Sequence, residues 1–135
     1  MFGTLYVCLN TTMINALILV VFSFLSLNSK SIDSDKLVLA FQNGNATEIS
    51  NFFSSSIELK TPNTSGVSTK EQAKMILENF FKTNKPTKAT LTHESVGVSN
   101  LVLIITVNTS NGEFRATITG VSKSGSFQIT ELKIS

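Results

Sequence analysis

The sequence predicts an α+β domain in which helices pack on a curved, four- to five-stranded antiparallel sheet shaped as a cone. Three observations lead there. Helical apolar spacing governs most of the chain between Asp33 and Lys85, a two-residue alternation replaces it after Pro86, and that alternation slips phase inside two strands. With 135 residues, 41% hydrophobic and 15% charged, the chain can build one core and is too apolar to be disordered.

The charges divide the chain. No charged side chain precedes Lys30, and Ala16 to Phe22 (ALILVVF) with Ser23 to Leu27 (SFLSL) make an apolar stretch of signal-peptide proportions. The small residues Ser29 and Ser31 favour cleavage after Ser31, which leaves residues 1–31 as leader and 32–135 as a single domain. The alternative is an N-terminal membrane anchor. No Lys or Arg opens the leader, and an uncharged stretch of about 20 residues can cross a bilayer uncleaved. A start at Met13 instead of Met1 would shorten the apolar run and favour cleavage. Cys8, the only cysteine, lies in the leader before the apolar run, where a lipid attachment would be out of place. The domain therefore has no disulfide, thiol nucleophile or thiolate metal site.

In the domain, Asp33 or Ser34 caps a helix carrying Leu37, Ala40 and Phe41 on one face, and Gly44 ends it. Asn45 and Glu48 have capping-box spacing for a second short helix that carries Ile49, Phe52 and Phe53. Ser54 to Ser56 interrupt the pattern. Ile57, Leu59 and Thr61 then alternate with Glu58 and Lys60 as a half-buried strand does, and Pro62 to Gly66 form a turn. Thr69 and Gln72 make a capping box for the longest helix, with Ala73, Ile76, Leu77, Phe80 and Phe81 on one stripe and Pro86 as its stop.

Turn signals at Ser99-Asn100, Asn111-Gly112 and Ser124-Gly125 divide the remainder into strands over Lys88–Val98, Leu101–Thr109, Glu113–Ser122 and Phe127–Ile134, joined as antiparallel neighbours. The second is the most continuously apolar and is expected at the centre of the sheet. Ala89, Leu91 and His93 share one parity while Val96 and Val98 take the other, and Phe127 and Ile129 give way in the same manner to Leu132 and Ile134. Both slips predict β-bulges, which bend a sheet. The Phe-rich helix is then expected across the concave face, with a cavity at one end of the cone.

QNGNATEISNFFSSSIEL, GVSTKEQAKMILENFF, TSNGEFR and FQITELKI, in that order, resemble a family of small exported bacterial proteins known as domain-of-unknown-function family 4783. Helix, helix, strand, helix and meander likewise resemble the nuclear-transport-factor-2-like (NTF2-like, cystatin-like) superfamily. The resemblance implies the fold and a periplasmic or extracellular setting typical of Bacteroidetes. It brings no activity and no catalytic residues, and fold alone licenses no function.

Chemistry has few candidates. His93, the only histidine, is a candidate proton carrier for a small cofactor-independent hydrolase or isomerase. Glu94, its neighbour on a strand, points to the opposite face, which leaves Glu58, Glu113 or Glu131 as partners. Arg115, the only arginine, shares parity with Thr117 and Thr119 and either clamps an anion or, more often at such a position, pairs with a cross-strand acid. Phe80, Phe81 and Phe114 are candidate lining for an apolar ligand cavity, although all the domain's phenylalanines are core residues first.

No metal-ligand spacing, phosphate loop or cofactor motif is present in the sequence. Without Lys30, 10 of the 11 basic residues face all 9 acidic ones, and the lysines are scattered, which disfavours nucleic acid. A domain without Trp or Tyr also makes a poor sugar-binding surface. The preferred expectation is a noncatalytic module of the cell envelope that binds an apolar small molecule or an envelope protein. The His93 enzyme is the alternative. Self-association as a homodimer through a sheet face bearing Thr90, Thr92, Thr117 and Thr119 is a third, weaker expectation.

Overall fold

The apolar stripe of the first helix takes shape as α1 (Ile32–Asn43), with Leu37, Ala40 and Phe41 buried on the predicted face. Its end follows from Gly44, whose φ of 61° suits a residue without a Cβ. That turn lets Gly44 N–H bond the Phe41 carbonyl at 3.2 Å and Asn45 N–H bond the Ala40 carbonyl at 2.9 Å. Asn45 then caps α2 (Ala46–Ser50) by accepting from Glu48 N–H at 3.2 Å. The second arm of the expected capping box does not form, because the Asn45 N–H it needs is already bonded to Ala40.

The computed structural model describes residues 32–123 and 126–135, and Asp33–Ser135 makes one unit. The expectations for the leader and for the Ser124-Gly125 turn lie outside the described residues. After α2 come β1 (Phe53–Lys60), β2 (Ser65–Thr69), α3 (Lys70–Thr83), β3 (Pro86–Val96), β4 (Asn100–Thr109), β5 (Gly112–Lys123) and β6 (Ser126–Ile134). The strands form one sheet in the order β2-β1-β6-β5-β4-β3.

This corrects the expected strand count, for the sheet has six strands rather than four or five, and it is not wholly antiparallel, since β1 runs parallel to β6. β2 is the strand sequence periodicity misses. Its residues SGVST hold one large apolar side chain and stay exposed, so pairing with β1 rather than burial fixes it. β1 also starts earlier than expected: Phe53 is a buried strand residue, not the end of a helix.

Both expected bulges are present. In β3, Leu91 pairs with Ile105 and His93 with Ile104, leaving Thr92 as the extra residue, so the slip falls before His93 and takes it off the face of Ala89 and Leu91 that its parity had suggested. In β6, Glu131 pairs with Thr119 and Ile129 with Gly120, leaving Thr130 as the extra one. The bends curve the sheet toward the helices, and the core fills the concave side. Leu103, Ile105, Val107, Ala116, Ile118, Ile129 and Leu132 rise from the strands to meet Ala73, Leu77 and Phe81 of α3 and Leu37, Ala40 and Phe41 of α1. β4, expected at the centre, is instead the second strand from the β3 edge, and β6 and β5 take the middle; α3 lies on the concave side as expected.

The capping box of α3 forms in full, with Gln72 N–H to Thr69 Oγ1 at 3.3 Å and Thr69 N–H to Gln72 Oε1 at 3.2 Å. Thr69→Ala removes one of these bonds. The expected loss is about 1 kcal/mol of unfolding free energy, read from the urea midpoint.

Candidate functional site

The C-terminal half of α3 builds the wall of a cleft. Phe81 turns into the core and meets Phe41 edge-on at 6.1 Å between ring centroids. Phe80, one position back, stays half-buried, held edge-on by Phe81 at 5.7 Å and by Phe114 of β5 at 5.1 Å. These T-shaped contacts suit the ring quadrupoles and fix the Phe80 ring from two sides.

Opposite this wall stands the β1–β2 turn. Thr61 and Thr64 exchange backbone bonds at 2.7 and 3.4 Å, and Thr64 N–H also reaches Thr61 Oγ1 at 3.1 Å, which tightens the Pro62-Asn63 corner. Between wall and turn lies a cleft of about 200 Å³, with Ile76 and Phe80 as its apolar side and Thr61, Asn63, Thr64, Asn79, Thr83 and Asn84 as its polar side.

The end of α3 is tied off at two of its carbonyls, those of Phe80 and Thr83. Asn84 gives both its backbone N–H (2.8 Å) and its Nδ2 (3.2 Å) to the Phe80 carbonyl, and Asn111 from the β4–β5 turn gives Nδ2 to the Thr83 carbonyl (2.7 Å) and to Asn84 Oδ1 (3.1 Å). These bonds satisfy groups that a helix end leaves open and make this rim of the cleft rigid. The side-chain amides of Asn63 and Asn79, by contrast, bond no other described residue. Each offers a donor and an acceptor to whatever enters the cleft. None of the lining side chains ionises.

The phenylalanines named from sequence separate. Phe80 lines the cleft, Phe114 supports it from behind, and Phe81 belongs to the core, with only its edge reaching a shallow groove beside Asn43 and Pro86. His93 is exposed on the convex face of the sheet, opposite Ile104 and away from the cleft. Its side chain has no hydrogen bond or ion pair among the described residues. Glu94 takes the other face, as strand alternation requires, level with Leu103. Glu58 and Glu131 sit across from each other on β1 and β6, separated from β3 by β5 and β4.

Arg115 is exposed on the convex face opposite Thr106 and makes no ion pair among the described residues. Its backbone bonds Ser135 at 2.8 and 3.0 Å, which carries the β5–β6 pairing to the last residue. The same face mixes Thr90, Thr117 and Thr119 with Val102, Ile104 and Val121. The ion pairs among the described residues join Lys60 Nζ to Glu58 Oε1 at 2.8 Å and to Glu131 Oε1 at 4.0 Å. The hydrogen bond and charge of Glu58 hold the Lys60 pKa above the ordinary lysine value. A raised folded-state pKa adds stability below the ordinary lysine range, and that contribution is lost as pH climbs through the folded value. The pair is solvent-exposed, so its effect is small.

Sequence reasoning missed the polar half of the cleft. Asn79 and Thr83, spaced i, i+4 beside the apolar stripe of α3, were the available signal: two polar residues on a face that otherwise continues Ile76 and Phe80.

A family model described as a domain of unknown function, DUF4783, matches residues 34–135. No curated protein matches. Among solved structures, a DUF4783 protein from Bacteroides fragilis is 26% identical, with 73% of this chain and 93% of that one covered and a TM-score of 0.69. A DUF4783 protein from Bacteroides uniformis is 22% identical, covering 75% and 94% at a TM-score of 0.71. An NTF2-like protein of unknown function from Silicibacter pomeroyi is 14% identical, covering 76% and 87% at 0.55, and extends the likeness to the NTF2-like fold.

Proposed function

The chain belongs to the DUF4783 family, and from that premise we propose that it is a noncatalytic binding module whose site is the cleft between α3 and the β1–β2 turn. The observation that carries this is the lining: one aromatic wall held by two other rings, two unengaged amides, and no ionisable group. Proton transfer needs a titratable side chain at the reacting atom, and such a lining supplies none. It can hold a ligand by hydrogen bonds and apolar contact.

The ligand class that fits is a small neutral molecule with one apolar face and a hydrogen-bonding edge, more polar than the apolar molecule expected from sequence. The hydrolase or isomerase alternative has less support, because exposed His93 lies on the face away from the cleft and bonds no carboxylate among the described residues. We place the module in the cell envelope or outside the cell, on the strength of the uncharged leader. Within the described residues, no helix is long and apolar enough to cross a membrane.

The test is a titration with neutral fragments, polyols and cyclic amides, followed by calorimetry on the best binder. Asn79→Ala is expected to weaken that binder about three- to tenfold, the worth of one neutral hydrogen bond, with no change in melting temperature because Asn79 is exposed. Binding unaffected by Asn79→Ala and Asn63→Ala would place the site elsewhere.

A further inference from the structure

The two edges of the sheet are treated differently. β3 is guarded: it opens on Pro86, gives its Ala89 N–H to Gln42 Oε1 of α1 at 3.5 Å, bulges at Thr92, and carries Lys88 and Glu94. Those are the devices by which natural sheets stop an edge from pairing with another chain. β2, the other edge, has none of them. Its residues Ser65 to Thr69 include no Pro, no charge and no bulge, and Val67 is 74% exposed.

The hairpin register shows which backbone groups are open. Thr61 and Thr64 exchange both N–H···O bonds, so antiparallel alternation makes Leu59 with Gly66 and Ile57 with Ser68 the next bonded pairs. Ser65 and Val67 must then turn N–H and C=O away from β1. Thr69 has the same parity, and its N–H is taken from the outer side by Gln72 Oε1, as this phase requires.

Beside this edge, between β2 and α3, runs a groove lined by Ser68, Gln72, Met75, Ile76 and Asn79. Met75 is 62% exposed, and a Cβ built on Gly66 meets nothing within 4 Å, so side chains of an added strand have room.

We propose that β2 accepts an extended, uncharged peptide segment of a partner protein as a seventh strand, bonded to Ser65 and Val67, with an apolar side chain against Met75 and Ile76. Charge and area choose this occupant. Every residue of the edge and the groove is neutral, which favours an uncharged segment. A second copy joined edge to edge would meet over a five-residue strand, roughly 17 Å long and 10 Å thick. That contact falls well short of the ~1,200 Å² that a stable interface between folded copies buries. A peptide that also fills the groove does not depend on the strand contact alone. The proposal goes beyond the cleft reading and fails separately from it, since Asn63→Ala tests the cleft alone and Val67 tests the edge, while Asn79 lines both the cleft and the groove.

The experiment uses the full chain and heptapeptides selected on it from a random phage-displayed pool, the tightest made as a fluorescein-labelled peptide. Val67→Pro removes an outward N–H without touching the β1 ladder, and is expected to weaken the peptide at least tenfold while the melting temperature holds. In the unsubstituted protein, hydrogen exchange at the Ser65 and Val67 amides should slow when the peptide is added. The proposal is overturned if no peptide is selected, if a bound peptide leaves those two amides unprotected, or if they become protected with protein concentration alone, which would mean self-pairing.

Discussion

Replacing Gly120 with alanine is expected to cost about 3 kcal/mol of unfolding free energy, the upper part of the range for forcing atoms into a packed interior. Gly120 sits on β5 opposite the β6 bulge, and the Phe127 ring lies directly over it. A Cβ there would overlap Cε2 and Cζ of that ring and come within 2.5 Å of the Gln128 carbonyl oxygen. The carbonyl is backbone in a paired strand and cannot step aside. Removing the ring as well, in Gly120→Ala with Phe127→Leu, should recover part of the loss. Urea unfolding of the two variants decides it, and a neutral Gly120→Ala would mean that the bend of the sheet at this bulge is not built as described.

Phe41→Ala has the other large expected effect, about 3–5 kcal/mol. Phe41 is 1% exposed and is the α1 end of a relay of rings that runs through Phe81 and Phe80 to Phe114. Truncating it leaves a cavity beside Phe81, and the neighbouring backbone can close only part of it. Since Phe80 takes its position from Phe81, the same substitution should also weaken a ligand of the cleft. A loss below about 1 kcal/mol in denaturant unfolding would be inconsistent with a core close-packed at this point.

Much of this fold could be read from residues whose burial is periodic. Leu37, Ala40 and Phe41 declared α1, Thr69 and Gln72 declared the start of α3, and the parity slips in β3 and after Ile129 declared the two bulges, although the β3 slip falls at Thr92, ahead of His93, and not after it as the parity suggested. β2 escaped because an exposed edge strand buries almost nothing, so its only determinant is pairing with a partner that the sequence does not name. The parallel β1–β6 pair escaped for a related reason. Alternation of burial, regular or broken by a bulge, carries no information on strand direction, which is set by how the α3 to β5 chain crosses between them.

The site was less legible. Phe80 was named among the candidates, but a stripe of phenylalanines on one helix does not say which ring faces the interior and which a cleft. That depends on Phe114 and Phe41 arriving from other elements. Asn63, Asn79 and Asn84 look like ordinary turn, helix-surface and helix-end residues, and only the closing of the β1–β2 turn over α3 brings them together. His93 and Arg115 attracted notice through rarity alone, and strand alternation, shifted by the Thr92 bulge ahead of His93, leaves both on the convex face.

The measurement that most directly tests a noncatalytic cleft is amide and side-chain NMR of the protein titrated with the neutral fragments. The account predicts that shifts concentrate on Asn63, Thr64, Asn79, Phe80 and Thr83, that the Asn79 side-chain amide moves most, and that His93 is untouched. Shifts centred on His93 and Arg115, with the α3 residues silent, would contradict it and return the convex face to consideration as the working surface.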